Sequence, residues 1–285
     1  MTTILKTRQE TRLPTFIIIG AMKSGTTSLF RYIKVHPQVC MSSHKETDYF
    51  CHQEIYEKGL EWYQSLFERS AEAYGEASPN YTKCHGMPGV PARIHSVLPN
   101  VKLIYVLRDP VERMVSHYLH MVARGDEKRP LTEALMTNDG DNHYANVSHY
   151  YYQLTQYLDY FDQSQILLLS SEQLRDDTAS VMQQVYQFIE VDSTFSSPSF
   201  EKAYHRTANK FAEQQPPVQN TIRRWSESLQ KRLLRKQMPT KAAKESSDYL
   251  ERLDTPTKEK LIERLRPDVE NLRGFSGQKF AEWCV

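Results

Sequence analysis

The architecture of this chain is set by one segment near its N-terminus, which reads Phe16-Ile17-Ile18-Ile19-Gly20-Ala21-Met22-Lys23-Ser24-Gly25-Thr26-Thr27-Ser28-Leu29. The segment begins as an apolar, β-branched run, passes through a short loop bounded by glycines, and opens a helix at Thr26. A strand, a loop and a helix in this order present backbone N–H groups at a helix N-terminus, where phosphate binds. The segment therefore predicts a phosphate-binding loop.

This loop departs at one position from the pattern that binds nucleoside triphosphates. Gly20 and Gly25 keep the G-x-x-x-x-G spacing, but Thr26 stands where that pattern has a lysine. The lysine lies inside the loop instead, at Lys23. The displacement favours a nucleotide donor whose reactive group is not a γ-phosphate.

Composition narrows the class of protein. The chain has 285 residues, of which 39% are hydrophobic and 25% charged, as in ordinary globular domains. The net charge of +1 gives no bias toward nucleic acid or a membrane surface, and the apolar run 16–19 is far too short for a signal peptide or a membrane span. We therefore expect a cytoplasmic protein without a nucleic-acid or membrane partner.

The four cysteines fit no zinc-ligand spacing, so no metal is expected.

Short apolar runs alternate with helical stretches along the chain. This alternation predicts an α/β fold, a P-loop-like central parallel β-sheet flanked by helices in a single domain. Residues 1–13 are expected to form a flexible tail and 14–285 the domain. The predicted strands are 15–19, 39–41, 73–76, 101–107 and 165–170, and the predicted helices are 26–35, 111–122, 151–161 and 178–189.

The C-terminal third is less regular. Residues 192–217 are rich in Ser, Pro and Gln and predict an irregular connection, whereas 222–236 predict a basic amphipathic helix followed by a mobile loop at 236–248. The basic helix is either an ordinary solvated face or a surface for an anionic substrate. A last helix, capped by Asp254 or Thr255 with Pro256 at its first position, is predicted to stop before Pro267.

A second motif follows the strand at 101–107 and reads Arg108-Asp109-Pro110-Val111-Glu112-Arg113-Met114-Val115-Ser116-His117-Tyr118. An arginine at the carboxyl end of a strand faces the crevice in which α/β proteins bind ligands. Ser116 follows about two helical turns later, on the face of Arg108 and Glu112. Guanidinium and hydroxyl together predict a second phosphate site; the alternative is that Arg108 only pairs with a carboxylate.

With both motifs in view, the chain resembles the sulfotransferases that use 3′-phosphoadenosine 5′-phosphosulfate (PAPS). Residues 20–29 resemble their 5′-phosphosulfate loop, and residues 107–118 resemble their 3′-phosphate motif. Lys45-Glu46-Thr47-Asp48-Tyr49-Phe50, Gly75-Glu76-Ala77-Ser78-Pro79 and residues 272–283 are similar to segments of the heparan sulfate N- and O-sulfotransferase-like branch. The chain is identified as a soluble, bacterial-type relative of that branch.

The resemblance implies a role for each matching residue. Lys23 would neutralise the oxygen that leaves sulfur, and Glu46 would be the general base; the alternatives for Glu46 are a solvated carboxylate paired with Lys45, or a histidine base at His44 or His52. No metal is implied. The 5′-phosphate would be held by Lys23, Ser24, Gly25, Thr26, Thr27 and Ser28, and the 3′-phosphate by Arg108 and Ser116.

The acceptor side is expected to include Asp48 and residues 192–250. Asp48 stands where a histidine or asparagine is common in the branch, and Ala77 where a lysine is common, so we expect a neutral or cationic acceptor rather than a polyanion. A tyrosine cluster is expected either to line the acceptor pocket or to pack in the core; it consists of Tyr144, Tyr150, Tyr151, Tyr152 and Tyr157.

The predicted function is transfer of a sulfuryl group from PAPS to a hydroxyl or amine of a small molecule, a carrier-bound intermediate or a saccharide, leaving 3′,5′-adenosine bisphosphate (PAP). One alternative is a P-loop kinase that uses ATP and Mg²⁺, with Asp109 as a metal ligand. Another is a non-catalytic nucleotide-binding scaffold. The sequence assigns neither one particular acceptor nor an oligomeric state.

Overall fold

A computed structural model describes residues 12–137, 142–201 and 253–285. Within them, five strands form one sheet in the order β2-β3-β1-β4-β5, and every neighbouring pair is parallel. The strands are β1 (Phe16–Gly20), β2 (Val39–Met41), β3 (Ala73–Ala77), β4 (Lys102–Leu107) and β5 (Ile166–Ser170).

The helices connect these strands on both faces of the sheet. They are α1 (Thr26–Lys34), α2 (Gln53–Tyr56), α3 (Gly59–Ser65), α4 (Val90–Val97), α5 (Pro110–Arg124), α6 (Leu131–Met136), α7 (His143–Asn146), α8 (Tyr150–Leu158), α9 (Ser171–Asp176), α10 (Thr178–Phe188) and α11 (Thr255–Ser276). Three short 3₁₀ turns lie at Pro79–Thr82, Gln163–Gln165 and Pro198–Glu201 in the described part of the chain.

The central strand β1 divides the apolar core into two layers. All five of its residues are buried, because alternate side chains of a strand face opposite sides of a sheet that is covered on both. Ile17 and Ile19 pack with residues of α4, α5, α8 and α11. Phe16 and Ile18 pack with residues of α1 and α10. The predicted α/β class, with a parallel sheet flanked by helices, is confirmed.

The predicted strands and long helices are present, with ends that differ by a few residues. For the last helix, the predicted cap at Asp254 is confirmed, but the position of Pro256 and the predicted end before Pro267 were wrong. Asp254 caps α11 and Pro256 is its second residue, and the helix continues through Pro267 to Ser276. Proline inside a helix costs about 3 kcal/mol. Buried Leu265, Val269 and Leu272 lie on both sides of it, so packing against the core outweighs that cost.

Parts of the sequence predictions fall on residues that the structure does not describe. The basic helix at 222–236, the loop at 236–248 and most of 192–217 lie outside the described residues. At the other end, Arg12 Nη1 donates a hydrogen bond to the Phe67 carbonyl at 3.3 Å, and Leu13 packs against the core. The division into a tail and a domain stays a prediction.

Asp268 of α11 caps the N-terminus of α8, although the two helices are far apart in sequence. Its carboxylate oxygens accept the N–H groups of Tyr151 and Tyr152, each at 2.9 Å, in the first turn of α8. These two donors have no intrahelical acceptor, so Asp268 joins the two helices.

We therefore expect Asp268→Ala to lower the free energy of unfolding by about 1–2 kcal/mol, because two N–H groups in the first turn of α8 lose their acceptor. Urea unfolding measures this change. The matched control is Glu270→Ala, an exposed acidic residue of the same helix. Equal stability of the two variants would contradict the capping role.

Candidate active site

The candidate site lies where strand connections diverge at the carboxyl edge of the sheet. From β1 the chain turns toward β2, and from β4 it turns the other way, toward β5, although β1 and β4 are neighbours. Such a switch point opens the crevice in which parallel sheets bind ligands. The loop after β1 and Arg108 after β4 both lie at this crevice.

The loop after β1 approaches its neighbours closely. A Cβ atom on Gly20 would lie 2.0 Å from Thr82 Oγ1, so glycine alone fits there. The Ala21 N–H donates to the Val106 carbonyl at 2.7 Å, which fastens the loop beside the end of β4. Lys23 follows with φ at 73° and is partly buried.

The N-terminus of α1 is open to an anion. Gly25 caps the helix in the left-handed conformation, with φ at 96°, and supplies no side-chain acceptor; the first turn of α1 contains no acidic residue. The N–H groups of Thr26 and Thr27 have no acceptor within the helix, and the helix dipole adds positive potential. Ser24 is fully buried, and its Oγ has no hydrogen-bond partner in the described part of the chain. A bound phosphate would supply the missing acceptors.

Arg113 places a positive charge beside this loop. Its guanidinium is fully buried and donates to the Met22 carbonyl at 3.5 Å, to Ser148 Oγ at 2.6 Å and to the Tyr144 carbonyl. No carboxylate forms an ion pair with it among the described residues. Burial lowers the pKa of Arg113 to about 10, which leaves it charged at neutral pH. The motif contained this arginine, but the sequence analysis gave it no role.

Arg108 pairs with Glu112. Its Nη2 and Nε lie 2.7 and 3.2 Å from Glu112 Oε2, one helical turn away. Buried Ser116 lies one further turn along the same face of α5. The pair is partly exposed, and such pairs are weak enough for a phosphate to displace the carboxylate. Arg108 therefore pairs with a carboxylate, as the alternative prediction had it. The pair lies on the face of α5 that was also predicted to bind a phosphate.

Asp109 is occupied by backbone contacts. Its Oδ1 accepts the Glu112 N–H at 2.9 Å and its Oδ2 accepts the Cys284 N–H at 2.6 Å, in a residue that is 3% exposed. Asp109 thus starts α5 and fastens the C-terminal segment. This use of both oxygens counts against the metal-ligand role that a kinase would need.

Glu46 stands at the carboxyl end of β3. Its N–H donates to the Ala77 carbonyl at 2.8 Å, and its φ of 66° turns the chain so that the carboxylate is exposed. Lys45 Nζ lies 2.5 Å from Glu46 Oε1. Burial acts to raise the pKa of Glu46, but the charges of Lys45, Lys83 and His120 together hold this pKa below its usual value. Glu46 is thus ionised at neutral pH and able to accept a proton.

A buried carboxylate holds the Glu46 loop in place. Glu76 of β3 is fully buried and accepts hydrogen bonds from Tyr63 Oη at 2.6 Å, Tyr81 Oη at 2.7 Å, Ser78 Oγ at 3.1 Å and Thr47 Oγ1. Burial raises its pKa, and the hydroxyl donors partly oppose that shift. The bond to Thr47 positions the residue next to Glu46. An acidic residue inside an apolar strand was the signal that could have revealed this role.

Asp48 and Ala77 are the two positions at which the sequence departs from the heparan sulfate branch, and their surroundings differ. Asp48 Oδ2 accepts a hydrogen bond from Asn80 Nδ2 at 3.0 Å, and burial raises the pKa of Asp48. Ala77 is fully buried in the apolar core. A lysine nevertheless lies close by: Lys83, after the turn that carries Asn80, is 9% exposed, and its charge acts on Glu46 and Asp48. Nothing in the local sequence marked it.

Tyr151 lies on the α11 side of α8. Its ring is 6.1 Å from that of Phe275, and its N–H bonds to Asp268. Tyr144, Tyr150 and Tyr157 are core residues, in line with the packing alternative for this cluster. The contacts thus do not bring Tyr151 to the Glu46 loop, and its acceptor-binding role stays a prediction.

Among the described residues, no group of three or more His, Cys, Asp or Glu side chains could hold a metal ion. None of the described helices is both long and apolar enough to cross a membrane.

Fold and site together define an α/β protein with two candidate anion-binding elements at one crevice of a parallel sheet. The chain matches the family described as "Sulfotransferase domain" over residues 13–264, and it belongs to that family. The resemblance found in the sequence is confirmed.

Individual relatives agree with this assignment. The chain is 45% identical over 111 residues to a membrane-associated sulfotransferase of Dictyostelium discoideum (37% of this chain, 22% of the relative). It is 32% identical over 186 residues to human heparan sulfate glucosamine 3-O-sulfotransferase 6 (62% of this chain, 52% of the relative). The chain thus spans from about a fifth to about half of the length of these curated relatives.

A solved structure shares the fold. The crystal structure of a sulfotransferase from Alicyclobacillus acidocaldarius matches with a TM-score of 0.69 and 23% identity, covering 95% of this chain and 98% of that one.

Lys45 controls the charge state of Glu46, which gives a test of the site's electrostatics. Since Lys45 is the strongest influence that lowers the pKa of Glu46, Lys45→Met leaves burial dominant and raises that pKa. Glu46 then takes up its proton at a higher pH than in the wild type. A ¹³C NMR titration of the glutamate carboxyls, assigned with Glu46→Gln, measures the shift. Lys58→Met, at an exposed lysine, is the control; an unmoved Glu46 titration in Lys45→Met would contradict the account.

Proposed function

We propose that this protein transfers a sulfuryl group from PAPS to a hydroxyl or amine of an acceptor and releases PAP. The 5′-phosphosulfate binds the loop at Lys23, Ser24, Gly25, Thr26, Thr27 and Ser28, and the 3′-phosphate binds Arg108 and Ser116. The observation that carries the proposal is a pair of separate elements that follow neighbouring strands: the N-terminus of α1, which has no side-chain acceptor at its cap, and the Arg108 face of α5. PAPS has phosphates at both ends of its ribose and therefore needs two such elements.

The proposed reaction is a direct displacement at sulfur. The acceptor oxygen or nitrogen forms a bond to sulfur and loses its proton to the Glu46 carboxylate. The bond from sulfur to the bridging oxygen of the 5′-phosphate breaks, and Lys23 neutralises the charge that develops on that oxygen. Positioning and positive charge provide the catalysis, and no metal ion has a role in it.

The acceptor belongs to the same proposal. Family membership supports sulfuryl transfer, and one of the relatives is named for heparan sulfate glucosamine, so a saccharide is a suitable acceptor class beside small molecules. Among the acceptor-side residues predicted from the sequence, Asp48 is the one nearest along the chain to Glu46, the proposed base. The cytoplasmic location stays a prediction.

Nucleotide binding separates this proposal from a kinase. We expect PAP to bind in the presence of EDTA, because its phosphates contact only protein groups, and ATP to bind weakly with or without Mg²⁺. Calorimetric titration measures both. Metal-dependent ATP binding without PAP binding would contradict the proposal.

Single substitutions then separate an enzyme from a binding scaffold. Lys23→Ala and Glu46→Gln should each lower the transfer of ³⁵S from labelled PAPS to a panel of saccharides and small molecules by about 10²-fold or more. Glu46→Gln should keep its PAP affinity, since Glu46 lies outside the phosphate sites. Full activity of Glu46→Gln would show that another group is the base.

The 3′-phosphate site has its own test, because adenosine 5′-monophosphate lacks that phosphate. Arg108→Ala should weaken PAP by about 10- to 100-fold, the contribution of charged hydrogen bonds, with little effect on the monophosphate. Glu112→Gln should tighten PAP, since Arg108 then has no competing carboxylate. An equal loss of both nucleotides in Arg108→Ala would place the 3′-phosphate elsewhere.

A further inference from the structure

The connection between β4 and α5 is held on both sides of one peptide unit. Arg108 and Asp109 alone form this connection. The Arg108 carbonyl accepts a hydrogen bond from Tyr150 Oη at 2.8 Å, and the Asp109 N–H donates to Glu172 Oε1 at 3.0 Å. Both backbone groups belong to the planar unit between Arg108 and Asp109. Tyr150 and Glu172 therefore fix the direction in which the Arg108 side chain leaves the backbone.

Glu172 is a buried carboxylate that forms no ion pair within the described part of the chain. Its Oε1 accepts from Asp109, and its Oε2 accepts from Ser170 Oγ at 2.8 Å and from Trp283 Nε1 at 3.3 Å. Ser170 Oγ lies equally close to Glu282 Oε1, at 2.8 Å, and a hydroxyl has one proton for the two carboxylates. The indole N–H of Trp283 is thus the donor that Glu172 does not share.

The Trp283 ring also contacts the second group that holds this peptide unit. Its centroid lies 5.8 Å from that of the Tyr150 ring, at an interplanar angle of 54°, and Trp283 is only 6% exposed. The next residue, Cys284, donates its N–H to Asp109 Oδ2 at 2.6 Å. Trp283 therefore lies against both Tyr150 and Glu172, and its neighbour binds Asp109 directly.

The segment 277–285, which carries Trp283, is itself held in place. Gly277 ends α11 with φ at 69°, a left-handed conformation that glycine adopts without strain. Gln278 Nε2 then donates to the Leu168 carbonyl of β5 at 3.2 Å. Arg273 of α11 donates to three carbonyls of the segment, those of Lys279, Phe280 and Val285. These contacts join the segment to α11 and to β5, and so fix the place of the indole ring.

We propose that Trp283 is a positioning residue for the 3′-phosphate site. Its indole N–H orients Glu172 and its ring supports Tyr150, and these two residues hold the peptide unit that carries Arg108. The inference rests on the proposed function, in which Arg108 binds the 3′-phosphate. It extends that site to the segment 277–285, which acts through the backbone of Arg108 and not through a contact with the nucleotide.

The Arg108 guanidinium needs such positioning because a carboxylate competes for it. Glu112 Oε2 lies 2.7 Å from Arg108 Nη2. A guanidinium binds phosphate through a planar fork of donors, so the strength of binding depends on the orientation of the fork. A rotation of the peptide unit turns this fork away from the phosphate, which leaves the pair with Glu112 favoured.

Trp283→Phe tests the proposal, because phenylalanine keeps a ring against Tyr150 and has no N–H for Glu172. Calorimetric titration measures the affinity for PAP and for adenosine 5′-monophosphate, which lacks the 3′-phosphate. We expect Trp283→Phe to weaken PAP by about three- to tenfold, as the partial loss of charged hydrogen bonds requires, and to leave the monophosphate unchanged. Trp62→Phe, the same exchange at a partly buried tryptophan of α3, should match the wild type for both nucleotides.

Glu172→Gln is a second variant, which leaves the ring packing of Trp283 intact. The carboxamide has one acceptor oxygen in place of two, so it does not accept from Asp109 and from Trp283 in the arrangement of the carboxylate. We expect it to weaken PAP and not the monophosphate. The double variant Trp283→Phe/Glu172→Gln should lose no more PAP affinity than the weaker single variant, because both changes remove one contact.

Three results overturn the proposal: unchanged PAP affinity in both single variants, an equal loss of PAP and the monophosphate in both, or additive losses in the double variant. The proposed function fails in a different way. It is contradicted if PAP does not bind the wild type, or if Arg108→Ala weakens PAP and the monophosphate equally.

Discussion

Arg113 carries a positive charge into the interior of this protein, no carboxylate of the described residues pairs with it, and its guanidinium connects segments that form the site. Its guanidinium joins the phosphate loop, through the Met22 carbonyl, to the segment after α7, through Ser148. A buried charge of this kind is costly when it is solvated only by neutral groups. The cost is offset when an anion binds nearby, and the side-chain donors of Ser24 and His117 also lack partners among the described residues.

On the other side of the crevice, a buried carboxylate fixes the position of the proposed base. Glu76 accepts hydrogen bonds from four hydroxyl groups, and one of them, that of Thr47, belongs to the loop of Glu46. Glu46 itself is exposed and holds only a local contact with Lys45. The position of the proposed base therefore depends on a carboxylate that the reaction does not use.

The features that could be predicted from the sequence are those that short-range patterns determine. The run from Phe16 to Gly20 with its loop, and Arg108 at the end of β4, followed from the strand period and the geometry of helix starts. The continuation of α11 through Pro267 did not, because packing of Leu265 and Val269 overrides the local preference of proline. The role of Glu76 depends on its contacts with Thr47 and Tyr63, which belong to other segments of the chain, and no local pattern records such contacts.

In the proposed function, the N-terminus of α1 and the Arg108 face of α5 together bind one nucleotide that has a phosphate at each end of its ribose. A crystal structure of the protein with PAP tests it most directly. The account predicts the 5′-phosphate on the N–H groups of Thr26 and Thr27, and the 3′-phosphate hydrogen-bonded to Arg108 in place of Glu112. A 3′-phosphate in solvent, with the Arg108–Glu112 pair intact, would contradict it.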